Sequence, residues 1–127
     1  MSMRTSRITL LVLEIEPAIL FYTHGFGLEL IEDTQISETK RIIRLGCTAS
    51  DVSFNITTPK QGDEDLVGRQ AGQRVFIFLD TENLDQDLQR FKRYQITIHE
   101  GPRTEPFGRC LLVKDIAGNL WEFVERS

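Results

Sequence analysis

Near the end of the chain, in "GRCLLVKDIAGNLWEFVERS" (108–127), one carboxylate stands where it could do chemistry. Glu122 lies on a short apolar run just past the Gly118-Asn119 turn. An acid so placed can ligate a divalent cation, act as a general base if burial raises its pKa, or be no more than the last acid of a terminal strand. The other reactive side chains are sparse. His24 stands beside the glycine expected to stop a helix and should face solvent, and His99, near a strand end, reads as a rim residue. Cys47 and Cys110 lie far apart without CxxC or Cys/His spacing, so both read as free thiols in a reducing cytoplasm. Neither has a histidine or basic helix terminus nearby in sequence that would make it a nucleophile. Arg7 and Arg74 each open an apolar run. Arginine offers no lone pair to a metal, but its fork binds a carboxylate at two points and its plane stacks on aromatic rings.

These residues must be held by one domain, since 127 residues make a single core without disulfide or metal staples. The 40% hydrophobic and 27% charged content is that of a globular chain, and a net charge of −4 argues against a broad nucleic-acid surface. Arg90, Lys92 and Arg93 fall late in an expected helix, where they complement its dipole. The longest apolar run, Ile8 to Leu13, is too short to cross a bilayer, and the start lacks a signal-peptide pattern. A cytoplasmic protein with no membrane or nucleic-acid partner is expected.

The element order follows from periodicity. "RITLLVL" (7–13) is a strand; "EIEPAILFYTHG" (14–25) is a helix with Pro17 in its first turn and Gly25 as its stop. "LELIED" (28–33) and "KRIIRLG" (40–46) are strands, and "DVSFNIT" (51–57) alternates with Phe54 and Ile56 opposite Ser53, Asn55 and Thr57. The stretch 58–73, rich in glycine and acids, is a linker. Then the order repeats: "RVFIFLD" (74–80), a helix over 81–94 capped by Thr81 or Asn83, "QITIHE" (95–100), a loop over 100–109, and a hairpin turning at "IAGN". Two strand–helix–strand–strand–strand modules, about 7–57 and 74–125, account for nearly the whole chain.

That order, together with "FYTHGFGLEL" (21–30) and "DIAGNLWEF" (115–123), resembles the vicinal oxygen chelate superfamily of glyoxalase I, extradiol dioxygenases, fosfomycin-resistance and bleomycin-resistance proteins. The chain is most similar to a glyoxalase-like branch. The resemblance implies an α+β fold of two βαβββ modules, whose mixed sheets curl into a cup with helices outside. It also implies a divalent metal in that cup, ligated by a His at the start of each module's first strand and an acid on the last strand. Those first-strand positions fall on Arg7 and Arg74, and the first module's last strand offers Ser53, Asn55 or Thr57. Glu122 alone stands where a ligand belongs, so no cofactor is expected and a metal is disfavoured.

Alternation then sketches the cup. Arg7, Thr9 and Leu11 would share a face, as would Arg74, Phe76 and Phe78, with Ser53, Asn55, Thr57 and Glu122 completing the lining. One of the two arginines would neutralise Glu122, and Trp121 and Phe123 would pack under the helices. Arg103 and Glu105 would ride on a lid formed by the loop 100–109. The expected function is metal-independent binding of a small hydrophobic or anionic molecule by a homodimer. The alternatives are a metal-dependent lyase, isomerase or dioxygenase with Glu122 as one ligand, and a metal-free enzyme with Glu122 as general base.

Overall fold

The β-branched, apolar run after Arg7 forms the first strand of a computed structural model that describes residues 2–127. The first module comprises β1 (Arg7–Leu11), α1 (Ile15–Leu20), a π-helical turn (Phe21–Gly25), β2 (Glu29–Gln35), β3 (Arg41–Gly46) and β4 (Ser53–Thr57). The second comprises β5 (Val75–Asp80), α2 (Leu84–Arg93), β6 (Ile98–Glu105), β7 (Gly108–Lys114) and β8 (Leu120–Arg126). Each module makes one four-stranded sheet, ordered β1-β4-β3-β2 and β5-β8-β7-β6. First and last strands pair in parallel, and the remaining pairs are antiparallel. The fold is α+β, with two open, mixed sheets built on the same βαβββ plan.

The alternation in β8 divides the sheet faces. Trp121 and Phe123 are buried, opposite Val113 and Leu111 of β7, while Leu120, Glu122 and Val124 share the other face. On the buried side the two modules pack into one aromatic core. Phe26, just past the π-helical turn, lies 5.0 Å from the Trp121 ring and 5.3 Å from that of Phe123, and Phe54 of β4 lies 5.2 Å from Trp121. Phe91 of α2 closes the cluster 5.0 Å from Phe123.

One buried carboxylate ties the modules together. Asp115 Oδ2 accepts from the Tyr22 hydroxyl at 2.7 Å and from the Trp121 indole N–H at 2.8 Å. Its Oδ1 accepts the backbone N–H groups of Ala117, Gly118 and Asn119, which forms the "IAGN" turn. Burial first, then the Asp115 charge, pushes the Tyr22 hydroxyl far above its ordinary range, so it stays a donor.

The expected helix signals hold with one shift. Asn83 caps α2, its side-chain oxygen accepting from Gln86 N–H at 3.0 Å. Gly25, by contrast, is not the left-handed stop of the first helix. That conformation falls to Gly27 (φ 82°), while Gly25 packs against Ile96, whose Cδ1 would lie 2.7 Å from an added Cβ and would have to move aside. Gln70 in the linker clamps the outer edge of β1: its Oε1 accepts from Leu11 N–H at 2.8 Å and its Nε2 donates to Thr9 C=O at 2.9 Å. Among the described residues no helix is long and apolar enough to cross a membrane.

Candidate functional site

The face of each sheet turned away from the aromatic core carries the chemistry. In the first module the register sets Thr9 beside Asn55 and Asn55 beside Arg44, with Arg44 beside Glu32 in one row across the sheet. Arg7 and Leu11 flank Thr9 on β1, opposite Ser53 and Thr57. An open groove of about 450 Å³ runs over this face. Arg7 and Thr9 of β1 and Asn55 and Thr57 of β4 form its floor, and Thr39, Lys40, Arg41 and Ile42 at the β2–β3 turn form its wall.

The cations of this face differ in how they are used. Arg41 donates through Nε and Nη2 to Asp33, each at 2.7 Å, and through Nη1 to Glu16 at 2.6 Å. The hydrogen bonds to Asp33 and then Glu16 hold its guanidinium above the usual range, and those bonds from Arg41 hold the Asp33 carboxyl below its own. Arg44 donates to Ser53 Oγ at 3.0 Å and to Glu32 at 3.2 Å. Arg7 and Lys40 take part in no ion pair among the described residues.

In the second module Glu122 lies between Phe78 of β5 and Leu112 of β7, and Glu100 of β6 continues the row. Its side chain is only 13% exposed. Arg103 crosses the row, with Nη2 2.8 Å from Glu122, Nε 2.8 Å from Glu105 and Nη1 3.7 Å from Glu100. The bonds to Glu105 and Glu122 push its guanidinium upward. Cys110 is fully buried beside Arg103 in the ladder, and burial first, then Glu122, raises its thiol. Burial and Glu29 likewise raise that of Cys47. Neither thiol is activated, and both are unpaired.

Several expected site residues sit elsewhere. The partner of Glu122 is Arg103, not Arg7 or Arg74. Arg74 lies exposed in the turn before β5. The segment expected to be a lid is instead the end of β6, a two-residue turn at Pro106-Phe107 and the start of β7, so Arg103 and Glu105 are strand residues. Of two register shifts in the β6–β7 ladder, the first falls at His99 and the second, between Glu100 and Arg103, falls at Gly101 and Pro102; Gly101 (φ 98°) is required because a Cβ would meet Cys110 O at 2.9 Å. Phe76 does not share a face with Phe78. A bulge between Val75 and Ile77 makes Val75 and Phe78 the residues on the Glu122 side and leaves Phe76 as the extra residue, packed against the core. Ser53 is buried and already bonded, donating to Ser6 C=O and accepting from Arg44. Leu11 is half-buried beside Thr57. Arg7, Thr9, Asn55 and Thr57 come together, whereas Phe78 and Glu122 lie on the other sheet.

Sequence reasoning missed Lys40, Arg41 and Arg44. For Lys40 and Arg44 the signal was present, because "KRIIRLG" alternates Lys40, Ile42 and Arg44 against the core residues Ile43 and Leu45; Arg41 is in phase with the core residues and the pattern gave no signal for it. A further cleft of about 350 Å³ between β1, β4 and β5 is mostly apolar, and Phe76 and Phe78 both line it, with Ile8, Val52, Phe54 and Leu79 among others.

The donor set does not suit a divalent metal. Among the described residues no group of three or more His, Cys, Asp or Glu side chains is arranged to hold one. Glu100, Glu105 and Glu122 enclose the Arg103 guanidinium, which repels a second cation. The first-strand positions carry Arg7 and Arg74.

Comparison with known proteins fits this geometry. The Glyoxalase/Bleomycin resistance protein/Dioxygenase superfamily model matches residues 4–123. The chain belongs to that superfamily. An uncharacterised protein of Shewanella frigidimarina (strain NCIMB 400) is 32% identical over 121 residues, 93% of this chain and 90% of the relative. Among solved structures, UcmS2 superposes with a TM-score of 0.82 at 27% identity, covering 98% of this chain and 99% of its own. TnmS3, an antibiotic binding protein from Streptomyces sp. CB03234, gives 0.79 at 20% identity over 99% and 98%. This superfamily domain keeps the two-module fold, with Arg7 at the start of β1 and Arg74 exposed just before β5.

Proposed function

We propose that the protein binds a small molecule in the cup formed by its polar sheet faces, without a metal and without turnover. The observation that carries this reading is the Arg103–Glu122 ion pair at 2.8 Å, flanked by Glu105 and Glu100. The one acid in a ligand position already binds an internal cation. A carboxylate held by a guanidinium also has a lone pair engaged, which works against service as a general base. The similarity to an antibiotic binding protein supports binding as a use of this fold.

Each sheet face supplies half of a cup, and the halves differ in charge. The first-module groove carries Arg7, Lys40 and Arg41, and the second-module face carries Glu100, Glu105 and Glu122 around Arg103. A homodimer that sets the first face of one copy beside the second face of the other would enclose two equivalent cups under two-fold symmetry; the acids of the second face stay engaged by Arg103, which leaves Arg7 and Lys40 to the ligand. Such a dimer would act in the cytoplasm, where the two free thiols of each chain stay reduced.

Metal analysis of protein purified without chelator tests the central point. Substoichiometric metal is expected, and stoichiometric zinc, iron, nickel or manganese would restore the lyase or dioxygenase alternative. A thermal-shift screen of aromatic acids, diketones and antibiotics should give a stabilising compound whose effect survives EDTA. That effect should fall in Phe78→Ala, which removes a 64% exposed ring from the Glu122 face. Sedimentation should find a dimer.

A further inference from the structure

We infer that the first-module groove is the anion-holding end of the binding site, and that it takes an oxyanion (carboxylate, phosphate or phosphonate) carried on a hydrophilic small molecule. This rests on the binding reading above and assigns it a ligand class.

The groove is lined by three cations and by no aspartate or glutamate. Arg41 is already neutralised by Asp33 and Glu16, and the neighbouring Arg44 by Glu32. Arg7 and Lys40 have no such partner among the described residues. Glu122 cannot serve Arg7 from within the chain, because it lies on the other sheet and is bound by Arg103. In a chain of net charge −4, a concavity with two unneutralised cations and no acid concentrates positive potential.

The rest of the lining selects against an apolar ligand. Thr9, Asn55 and Thr57 offer hydroxyl and amide groups across the floor, and Ile42 is the one aliphatic side chain in the lining. Arginine and lysine give an oxyanion charge-assisted hydrogen bonds, and the threonine and asparagine groups can bond its remaining oxygens or the hydroxyls of its carrier. An apolar molecule would leave these groups dehydrated and unpaired there, and it has the apolar cleft beside β5 as an alternative.

The test is a titration of the isotope-labelled full chain, followed through its backbone amide NMR signals. Inorganic phosphate, methylphosphonate, glycolate and the neutral glycolamide are the probes. The anions should give saturable shifts at Thr9, Asn55 and Thr57 that weaken with added salt, and glycolamide should give none. Comparison of the three anions tells which oxyanion source is preferred. The Arg7→Gln/Lys40→Gln double variant should bind the preferred anion about tenfold or more weakly, the loss expected for charge-assisted bonds. Arg7→Lys/Lys40→Arg should restore most of the affinity. Equal binding of glycolamide, anion shifts centred outside the groove, no saturable shift, or an unaffected double variant would each overturn the inference. If the anions fail while a compound from the thermal-shift screen still binds, the oxyanion class falls alone. If nothing binds in either experiment, both readings fall.

Discussion

Replacing Asp115 by Asn should cost far more than its near-identical shape suggests. The amide oxygen can take over at Oδ1, where three backbone N–H groups converge at 2.8–3.0 Å. The amide nitrogen at the other position cannot accept. There the Tyr22 hydroxyl and the Trp121 indole N–H now donate at 2.7 and 2.8 Å, inside a core where both residues are fully buried. The Tyr22 hydroxyl can rotate and accept instead. The Trp121 N–H has no such freedom and is left facing a second donor. A stranded buried donor costs about 1–3 kcal/mol, and conversion of the surviving charge-assisted bonds to neutral ones adds about 1 kcal/mol, for a total of about 3 kcal/mol. For a domain of this size, that corresponds to a fall in Tm of about 10 °C. Urea unfolding followed by Trp121 fluorescence, alongside thermal melts, would measure it, with an unchanged m-value expected. Tyr22→Phe should cost less, about 1–2 kcal/mol, because it removes one donor and strands no buried group. A loss below about 1 kcal/mol for Asp115→Asn would refute the claim that this carboxylate joins the two modules.

Two further outcomes follow from the local geometry. Glu125 accepts the Leu84 N–H at the start of α2 at 2.8 Å and pairs with Arg109 at 3.0 Å; these bonds, in that order, hold its carboxyl below the ordinary range. A depressed folded pKa means the contribution is present above the usual carboxylate range and lost as pH falls through the folded value, so urea midpoints of Glu125→Gln should fall less steeply below about pH 5. Equal slopes for the two proteins would count against the cap. Gln70→Ala should speed hydrogen exchange at the Leu11 amide by about tenfold while leaving Leu10, whose amide faces β4, unchanged. An unchanged Leu11 rate would show that the clamp contributes nothing to β1.

The module plan was legible in the sequence because each strand and helix has a short-range period. Alternation in "NLWEFVE" separated Glu122 from Trp121 and Phe123, and alternation in "DVSFNIT" separated Phe54 and Ile56 from Asn55 and Thr57, as the sheet faces confirm. The lid was misread because Gly101, Pro102 and Pro106 carry loop chemistry in any single-strand reading. Only pairing with β7 reveals a strand that accommodates the first two at a single register shift between Glu100 and Arg103. The face of Phe76 was misread for a related reason: one extra residue in β5 reverses the alternation, and it is visible only against β8.

Periodicity by itself determined two βαβββ modules and the two faces of β8, and the family resemblance, not the pattern, marked Arg7 and Arg74 as standing where a metal ligand would be expected. Tertiary structure decided the electrostatics. Arg103 comes from β6, two strands from Glu122 in the sheet and 19 residues away in sequence, and its reach to that acid depends on how far the β6–β7 ladder slips. Glu122 is held by Arg103, and Arg7 has no acid partner among the described residues. Side-chain charge is written in the sequence, but whether a charge is neutralised is a matter of distances of a few ångströms between strands, which no linear pattern contains.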